Sequence, residues 1–347
     1  MRKVLNKIKN KWKSFKTNDL PSLFANSPFL SSIYYVLFST AFRREQHAVL
    51  VGKVKHLKEG KREKANIYTL IRNTHRLEKG LLMRPRREVF AIDFIKETVD
   101  NFESIFKIEN CTDGSQIKWS CDVIAQYFNV TGSHPVIDIQ RERFRRIYSE
   151  VNSDNITSIP YHRLEANRPN ISYEELFKLT KFRRSVRWFL NKKVPHDLID
   201  KAILAANQSP TACNRQPFEY RIIDEPELMK KVANIPGGVK GYTDNIQMFV
   251  VVVGNLDAYF NERDRHVIYI DASLANMTFI LALETLGLSS CAINWPDVEL
   301  FERQMEQELN LNKWQRPIMC MAVGFADPSG LVAFSEKRKI DEIRKYN

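Results

Sequence analysis

Apolar and polar residues follow different patterns in the two halves of the chain. In residues 60–108, apolar positions such as Ile67, Leu70 and Leu77 recur near the 3.6-residue period of a helix. A second run with the same period follows after Gly80. The pattern therefore predicts two helices in this region, separated at that glycine.

Residues 109–170 lack this period. They contain polar stretches together with Pro135, Pro160 and Pro169. Because proline and short polar runs interrupt helices, the pattern predicts irregular structure there. Pro169 lies in the segment EANRPNIS, which has the composition of a linker. We therefore place a domain boundary after residue 170.

Helical and strand patterns alternate after this boundary, as in an α+β or α/β domain. Ser172 and Glu175 have the spacing of a capping box, and Met248–Val253 predicts a strand buried on both faces. Residues 267–286 predict a long helix that is apolar nearly all round and must be buried inside the domain or between subunits. The other expected elements are helices at 195–207 and 226–234 and strands at 219–223 and 318–325.

The length of 347 residues favours two domains, or one domain with a large extension. We divide the chain into a basic, partly apolar N-terminal segment (residues 1–64), a helical N-terminal region (residues 65–170) and a third unit (residues 171–347). A hydrophobic content of 44% argues against global disorder.

The net charge of +12 comes entirely from the N-terminal half. Residues 1–170 hold 30 Lys and Arg against 18 Asp and Glu, whereas the remaining residues hold 23 of each. No acidic residue lies between Arg2 and Lys16, and such a run is either a solvated tail or a contact for a polyanionic surface. We expect no nucleic-acid partner, because the chain has neither a recognition helix nor an aromatic-interleaved basic sheet.

Residues 28–42 form an uncharged, aromatic-rich stretch that Arg43 and Arg44 close. It is shorter than the about 18 to 20 apolar residues that span a bilayer, and it begins too late for a secretory signal. We expect a cytoplasmic protein. Two interpretations of the stretch remain open: a buried helix beneath a basic surface, or peripheral attachment of residues 1–44 to an anionic membrane.

Cysteine and histidine spacings indicate no metal site. The five cysteines include no C-x-x-C pair, and their odd number argues against a closed disulfide framework. The seven histidines show no H-E-x-x-H spacing. Gly237, Gly238 and Gly241 lack the spacing of a Rossmann phosphate loop. We expect reduced thiols and no separate nicotinamide domain.

The first candidate site is the segment KFRRSVRWF, which contains Arg183, Arg184, Ser185 and Arg187. Guanidinium groups form bidentate hydrogen bonds with phosphate oxygens, and a serine hydroxyl can add another. The segment therefore suits a phosphate monoester, although a solvated basic turn has the same composition.

The second candidate is the loop SPTACNRQPFEY, in which Pro210 and Pro217 flank Asn214 and Gln216. Carboxamides both donate and accept hydrogen bonds, so they match the mixed polar edge of an isoalloxazine ring without adding charge. An ordinary helix-to-strand turn is the alternative.

These two motifs, followed by a long apolar helix, LGLSSCAINWP and VGFAD, resemble the FMN-dependent nitroreductase family over about half of the chain. The resemblance implies an α+β fold with a central, mostly antiparallel sheet flanked by helices, here with a largely helical N-terminal extension. It also implies a homodimer with FMN at its interface, and hydride transfer from NADH or NADPH through flavin N5 to a small organic acceptor. The flavin carries this chemistry, so no catalytic side chain is expected.

The resemblance also implies which residues bind FMN. Arg183, Ser185 and Arg187, with Arg184 as a further candidate, match the phosphate and ribityl contacts. The remaining matches are the loop residues Pro210, Asn214 and Gln216, the N5-facing segment Asn294 and Trp295, and a C-terminal basic pair, Lys337 and Arg338. A solvated terminus would explain the last pair equally well.

The sequence departs from the family pattern at two places. Many relatives have Glu-Gly or glycine-rich sequence where this chain has Asn294, Trp295 and Pro296, and a Trp is frequent at the position of Phe218. We therefore keep a second interpretation, in which a degenerate flavin fold serves as a binding or scaffold module.

The segment HRLEKGL, residues 75–81, resembles part of the nitroreductase-like proteins associated with bacterial polysaccharide biosynthesis. This resemblance suggests a polysaccharide-assembly context for either function. His75 and Glu78 lie one helical turn apart and can pair locally. A helix end at Gly80 is the structural explanation of the same segment.

Overall fold

The computed structural model of the chain describes residues 15, 19–61, 65–106, 115–148 and 156–347. Cys111 and nearly all of the basic run from Arg2 to Lys16 lie outside the described residues. The helices are α1 (Leu20–Phe24), α2 (Pro28–Leu37), α3 (Arg43–Lys61), α4 (Ile67–Leu81), α5 (Ile95–Phe106), α6 (Gln116–Val130), α7 (Pro135–Tyr148), α8 (Tyr173–Phe182), α9 (His196–Ala206), α10 (Pro226–Asn234), α11 (Val267–Thr285), α12 (Glu299–Glu308) and α13 (Ile340–Ile343). The strands are β1 (Phe218–Ile223), β2 (Met248–Asn255), β3 (Ser289–Asn294) and β4 (Gln315–Gly324).

The four strands form one antiparallel sheet in the order β1-β2-β4-β3. β2 is central and every one of its residues is buried, as its apolar run predicts. A register shift between Val252 and Val253 marks a β-bulge in the pairing of β2 with β4. The predicted α+β class with an antiparallel sheet and flanking helices is confirmed.

Helices cover both faces of the sheet. On one face, Val250 and Val252 of β2 pack with α9 and α11 in a core that includes Phe279. On the other face, Phe249 and Val251 pack with α10 and α12. The alternation of side chains along β2 therefore divides its apolar residues between two cores.

Helices α4 to α7 form a separate bundle with its own core, centred on Leu70, Phe102 and Tyr127. The prediction of irregular structure over residues 109–170 is wrong for α6 and α7. Ten of the 15 residues of α6 are buried, so no single apolar stripe marks it as a helix. Pro135 is the first residue of α7, where a helix tolerates proline, and it does not interrupt one.

Helix α3 joins the N-terminal part of the chain to the sheet domain. Gly52 packs directly on the backbone of Leu256, and Lys55 pairs with Asp257. Arg44 binds Glu306 at 3.0 Å. These contacts place α3 on the sheet domain, while α4 begins the bundle.

Helix α2 and its flanks are exposed. No residue of α2 is buried, and the side chains of Phe29, Val36 and Leu37 are 73%, 65% and 66% exposed. The interpretation of residues 28–42 as a buried helix is therefore wrong. Helix formation itself follows from Ser27, whose side chain caps the helix by accepting a hydrogen bond from the Leu30 backbone N–H.

Local signals placed several of the later elements correctly. Ser172 and Glu175 form the predicted capping box at the start of α8, and α10 spans the predicted residues 226–234. The long apolar helix is α11. By length and composition it belongs to a segment, residues 262–285, that could cross a membrane, but one face of it is buried on the sheet.

Candidate functional site

The arginine segment runs beside β3 at the edge of the sheet. The backbone N–H of Val186 donates to Ser290 O at 3.0 Å, and Ser185 forms a parallel bridge with Ser290. Arg183 Nε is buried and has no hydrogen-bond partner among the described residues. The side chain as a whole is half-buried and its charge acts on the Glu284 carboxyl. Its unused Nε–H donor could serve an anionic ligand.

A cavity of about 370 Å³ opens beside this segment. Arg187 lies on one side of it, Gly237 and Gly238 on another, and Asn294 and Pro296 at the end of β3. Its volume lies within the range of about 300 to 1,000 Å³ that is common for small-molecule sites. The structure thus brings Arg187 and Asn294 to one cavity.

Sequence reasoning missed Tyr242 and the role of Gly238 in this cavity. A Cβ on Gly238 would lie 2.8 Å from Ile293 Cγ2, so only glycine permits this approach to β3. Tyr242 donates a hydrogen bond to Gly238 O at 3.3 Å, and burial raises the pKa of its hydroxyl. The signal available was the Pro-Gly-Gly run at residues 236–238.

Trp295 does not face the cavity with its side chain. Its indole is 6% exposed, and Nε1 donates to Glu302 Oε1 at 2.7 Å. Glu302 also binds the buried Arg316. The indole therefore belongs to a buried charge network, and only its backbone lies near the cavity-lining residues Asn294 and Pro296.

The carboxamide loop has an unusual backbone. Cys213, Asn214 and Gln216 all have positive φ angles, of 56°, 56° and 51°. Such conformations cost free energy in residues other than glycine and cluster at functional sites. Gln216 Nε2 donates to Asn214 Oδ1 at 3.2 Å, so the two carboxamides are already oriented together.

Helix α11 holds this loop in place. Asp271 accepts a hydrogen bond from the Ala212 backbone N–H at 2.9 Å, and the hydroxyls of Ser209 and Thr278 lie 3.0 Å apart. Burial raises the pKa of the Asp271 carboxyl, while that hydrogen bond and the charge of Arg215 lower it. Pro210 is exposed at the start of the loop.

The N-terminal bundle contacts the same loop. Helix α4 packs against the turn Ala212–Asn214. Arg215, 5% exposed, lies over the ring of Tyr259 at 4.8 Å from its centroid. The bundle therefore contacts the candidate site directly, through α4.

The two motifs lie at opposite ends of α11. Asp271, which holds the carboxamide loop, is near its N-terminus. Glu284 is near its C-terminus. Burial raises the pKa of the Glu284 carboxyl, and the hydrogen bond from Ser289 and the charge of Arg183 only partly offset this. Thirteen residues of helix separate these positions by roughly 20 Å. Within one chain the structure thus separates the arginine segment from Asn214 and Gln216.

The outer face of α11 is apolar and exposed between these ends. Ile270, Leu274 and Met277 are 58%, 46% and 42% exposed. Their spacing of four and three residues puts them on one face of the helix. This stripe covers the N-terminal half and the centre of α11.

The C-terminal basic pair lies in an extended, exposed tail. Lys337 donates its backbone N–H to the Glu336 carboxylate, and Arg338 binds Glu342 at 3.1 Å. The structure thus pairs the Arg338 side chain within the tail, and neither residue lines the cavity of its own chain. Leu331 and Phe334 of this tail are 91% and 76% exposed.

The segment at residues 75–81 has a structural role within the bundle. His75 Nδ1 lies 3.1 Å from Glu78 Oε2, and Trp119 Nε1 donates to Glu78 Oε1 at 2.9 Å. Helix α4 continues to Leu81, so a helix end at Gly80 is wrong by one residue. A Cβ on Gly80 would lie 2.2 Å from the Phe90 ring, which explains the glycine.

Residues 180–238 and 241–325 match the family model described as the nitroreductase family. Among curated proteins, a putative NADH dehydrogenase/NAD(P)H nitroreductase of Methanothermobacter thermautotrophicus is 26% identical over 137 residues, which cover 39% of this chain and 68% of that protein. An iodotyrosine deiodinase of Thermotoga neapolitana is 25% identical over 169 residues, covering 44% and 89%.

Human iodotyrosine deiodinase 1 is 20% identical over 221 residues, which cover 55% of this chain and 75% of that protein. Among solved structures, an FMN-dependent nitroreductase of Clostridium difficile R20291 aligns with a TM-score of 0.43 at 19% identity, covering 49% of this chain and 99% of that one.

Proposed function

We propose that the protein is an FMN-dependent oxidoreductase, since residues 180–238 and 241–325 match the nitroreductase family model. It would take hydride from NADH or NADPH and pass it to a small organic acceptor. The observation that carries this proposal is the cavity lined by Arg187, Gly238 and Asn294. Arg183, four residues before Arg187, adds a buried Nε without a hydrogen-bond partner among the described residues.

The residues present fit FMN. Arg183 and Arg187 offer guanidinium donors for its phosphate. Because Gly238 has no side chain, its backbone can form the cavity wall close to Ile293. When bound, FMN supplies hydride chemistry at N5. Asn294, at the end of β3, would contribute to the wall beside that atom. Arg184, Ser185, Lys337 and Arg338 are further proposed contacts for the phosphate end.

A second copy of the chain would complete the site. A two-fold antiparallel pairing of α11 through Leu274 and Met277 would bring the N-terminal half of one helix alongside the C-terminal half of the other. Asn214 and Gln216 of one protomer would then face the arginine segment of its partner. The polar edge of the flavin would gain donors and acceptors while water is excluded from the site.

Mixing two defective variants tests this arrangement. One variant carries Arg183→Gln and Arg187→Gln, and the other carries Asn214→Ala and Gln216→Ala. Each alone should bind little FMN. If each site takes one motif from each protomer, a heterodimer has one intact site, so random reassortment of equal amounts restores about one quarter of the sites.

The readouts are FMN bound per chain after reconstitution and NAD(P)H oxidation by the mixture. Restoration close to one quarter supports a site shared between copies. No restoration, with each variant still dimeric, means that both motifs act within one chain. If the unaltered protein binds no FMN, the enzyme proposal is wrong.

The second candidate function is that of a scaffold module in a polysaccharide-assembly complex. The replacement of glycine-rich sequence by Asn294, Trp295 and Pro296 favours it, since Trp295 serves the buried network at Glu302. Anaerobic addition of NADH or NADPH separates the two functions. Bleaching of bound flavin supports the enzyme, whereas bound flavin that stays oxidised with both donors supports the scaffold.

We also propose that the protein attaches to a membrane surface through its N-terminal segment, residues 1–44. The exposed apolar side chains of α2 support this, together with the run of seven Lys and Arg and no acidic residue in residues 1–16. This attachment is independent of flavin binding.

A further inference from the structure

The exposed apolar surface of α2 continues directly into helix α3. Phe38 and Phe42 are 52% and 42% exposed and follow the last turn of α2. Tyr35 and Phe42 contact each other with ring centroids 4.5 Å apart. An aromatic surface therefore reaches to within one residue of the first turn of α3.

A basic cavity of about 490 Å³ lies at that first turn. Its lining includes four cationic side chains and two carboxylates, which gives a net charge of +2 with His47 neutral. The cationic residues are Arg43, Arg44, Arg303 and Lys313, and the acidic ones are Glu299 and Glu306.

The cationic groups of this cavity differ in how they are engaged. Arg44 binds Glu306 at 3.0 Å, and Lys313 is paired with the same carboxylate. Arg43 and His47 are exposed, and within the described part of the chain neither forms an ion pair. Two exposed donors thus remain available in the lining of a cavity whose net charge is positive.

A second cavity of about 560 Å³ flanks the other side of the same turns. Its exposed lining is mainly apolar, from residues such as Phe42, Val49 and Leu50, although Glu45 and Glu262 also line it. The first turns of α3 therefore separate a basic cavity from a mainly apolar one. This arrangement matches the two parts of a phospholipid, an anionic headgroup and an apolar chain.

We propose that the basic cavity at Arg43 and His47 binds the phosphate headgroup of an anionic phospholipid while α2 lies in the membrane interface. The proposal rests on the membrane attachment through residues 1–44 and adds a headgroup site to it. Charge complementarity favours an extended anionic bilayer over a protein partner, because the cavity and residues 1–16 both carry an excess of positive charge.

Flotation with lipid vesicles tests the proposal on the full chain. Vesicles of pure phosphatidylcholine are compared with vesicles that contain one third phosphatidylglycerol, at low and high salt. The unaltered protein should bind the anionic vesicles preferentially and lose most of this binding at high salt.

Two variants separate the cavity from the apolar helix. Arg43→Gln with His47→Gln should weaken binding to anionic vesicles about fivefold, since the variant removes one counted cation and each Lys or Arg near an anionic surface is worth roughly fivefold. Phe29→Ser with Val36→Ser should abolish binding. The matched controls are Lys230→Gln, 63% exposed and paired with Asp244, and Ile139→Ser, which is 66% exposed.

Each other outcome has a definite meaning. Full anionic binding by the Arg43 and His47 variant, with loss in the Phe29 and Val36 variant, overturns the headgroup site and leaves the attachment standing. Equal binding to both vesicle types overturns the anionic preference. No binding to either vesicle type overturns both the headgroup site and the membrane attachment. If the Phe29 and Val36 variant differs in oligomeric state from the unaltered protein in the absence of vesicles, a second copy of the chain covers the apolar surface of α2. Inorganic phosphate that displaces the protein from vesicles would support the cavity as the headgroup site.

Discussion

The buried side chain of Trp295 gives a structural reason for one departure of this sequence from the nitroreductase pattern. Trp295 follows the cavity residue Asn294, yet its indole points to Glu302, which is 1% exposed. Glu302 also faces Arg316, another almost fully buried charge. Since buried charges require partners, this position is occupied by a hydrogen-bond donor for a structural reason.

Trp295→Phe should therefore destabilise the protein without emptying the proposed flavin site. Glu302 would lose one donor, and the free energy of unfolding should fall by about 1 to 3 kcal/mol. Urea denaturation measures this loss, and the ratio of FMN to protein measures the site. Trp188→Phe, at an indole 47% exposed, is the control and should change stability by less than about 0.5 kcal/mol. Loss of FMN with unchanged stability would contradict this assignment.

Gly52 provides a second test at the residue scale. An alanine inside a helix usually stabilises it by about 1 kcal/mol relative to glycine. Here the added Cβ would lie 2.7 Å from the Leu256 carbonyl carbon, and Leu256 is itself held by a hydrogen bond to Trp314 O. Overpacking costs of about 1 to 3 kcal/mol outweigh the helix gain. Gly52→Ala should lower the melting temperature, whereas Lys53→Ala, on the same helix, should leave it nearly unchanged.

At the scale of elements, local signals predicted the sheet domain better than the bundle. The capping box of α8 and the apolar run of β2 are each set by residues close in sequence. Helix α6 is buried on most sides, so its sequence lacks the period that marks a surface helix. Strand β3 and helix α12 carried no such signal and were missed.

The same distinction applies to the candidate site. The motifs at residues 183–187 and 214–216 were recognisable because each is a short run of suitable side chains. Their separation along α11 and the place of Tyr242 in the cavity depend on tertiary packing. No spacing within the sequence encodes either of these facts.

The contact of α3 and α4 with the sheet domain should weaken in acid. His56 Nδ1 lies 2.8 Å from Asp257 O, and burial lowers the pKa of this histidine although that contact raises it. A histidine with a lowered pKa in the fold binds its proton more readily when unfolded. Its stabilising contribution is therefore present above the ordinary pKa of 6.5 and is lost as the pH falls below it.

Urea denaturation at pH 7.5 and pH 5.5 measures this effect against His56→Asn, which keeps a donor near Nδ1 but does not titrate. The unaltered protein should lose more stability between the two pH values than the variant does. His134→Asn, in the turn before α7, is the control. Equal pH dependence of the unaltered protein and His56→Asn would exclude His56 as the acid-sensitive group.

At the scale of the whole molecule, the sheet domain exposes apolar side chains on two helices and on the C-terminal tail. Helix α8 has no buried residue, and the C-terminal tail exposes Leu331 and Phe334. The outer face of α11 exposes Leu274 and Met277. Single exposed apolar residues are common, but several such surfaces on one domain support the proposal that a second chain covers them.

Leu274→Asp should convert the protein to a monomer and remove its FMN together with the dimer. Leu274 lies near the centre of the α11 stripe, so a two-fold interface would contain the change twice. Burying two unpaired carboxylates should weaken the dimer by at least about 100-fold. Sedimentation equilibrium measures the association, and absorbance near the flavin band measures the bound cofactor.

Ile139→Asp, on α7 of the bundle, is the matched control and should leave both quantities unchanged. The association constant and the FMN content together distinguish a site shared between protomers from a site held by one protomer. A monomer that retains one FMN per chain would mean that one protomer holds the whole site, which the separation of the two motifs by roughly 20 Å of helix argues against. A dimer that persists would move the interface away from α11, and the exposed tail would then be the next surface to alter.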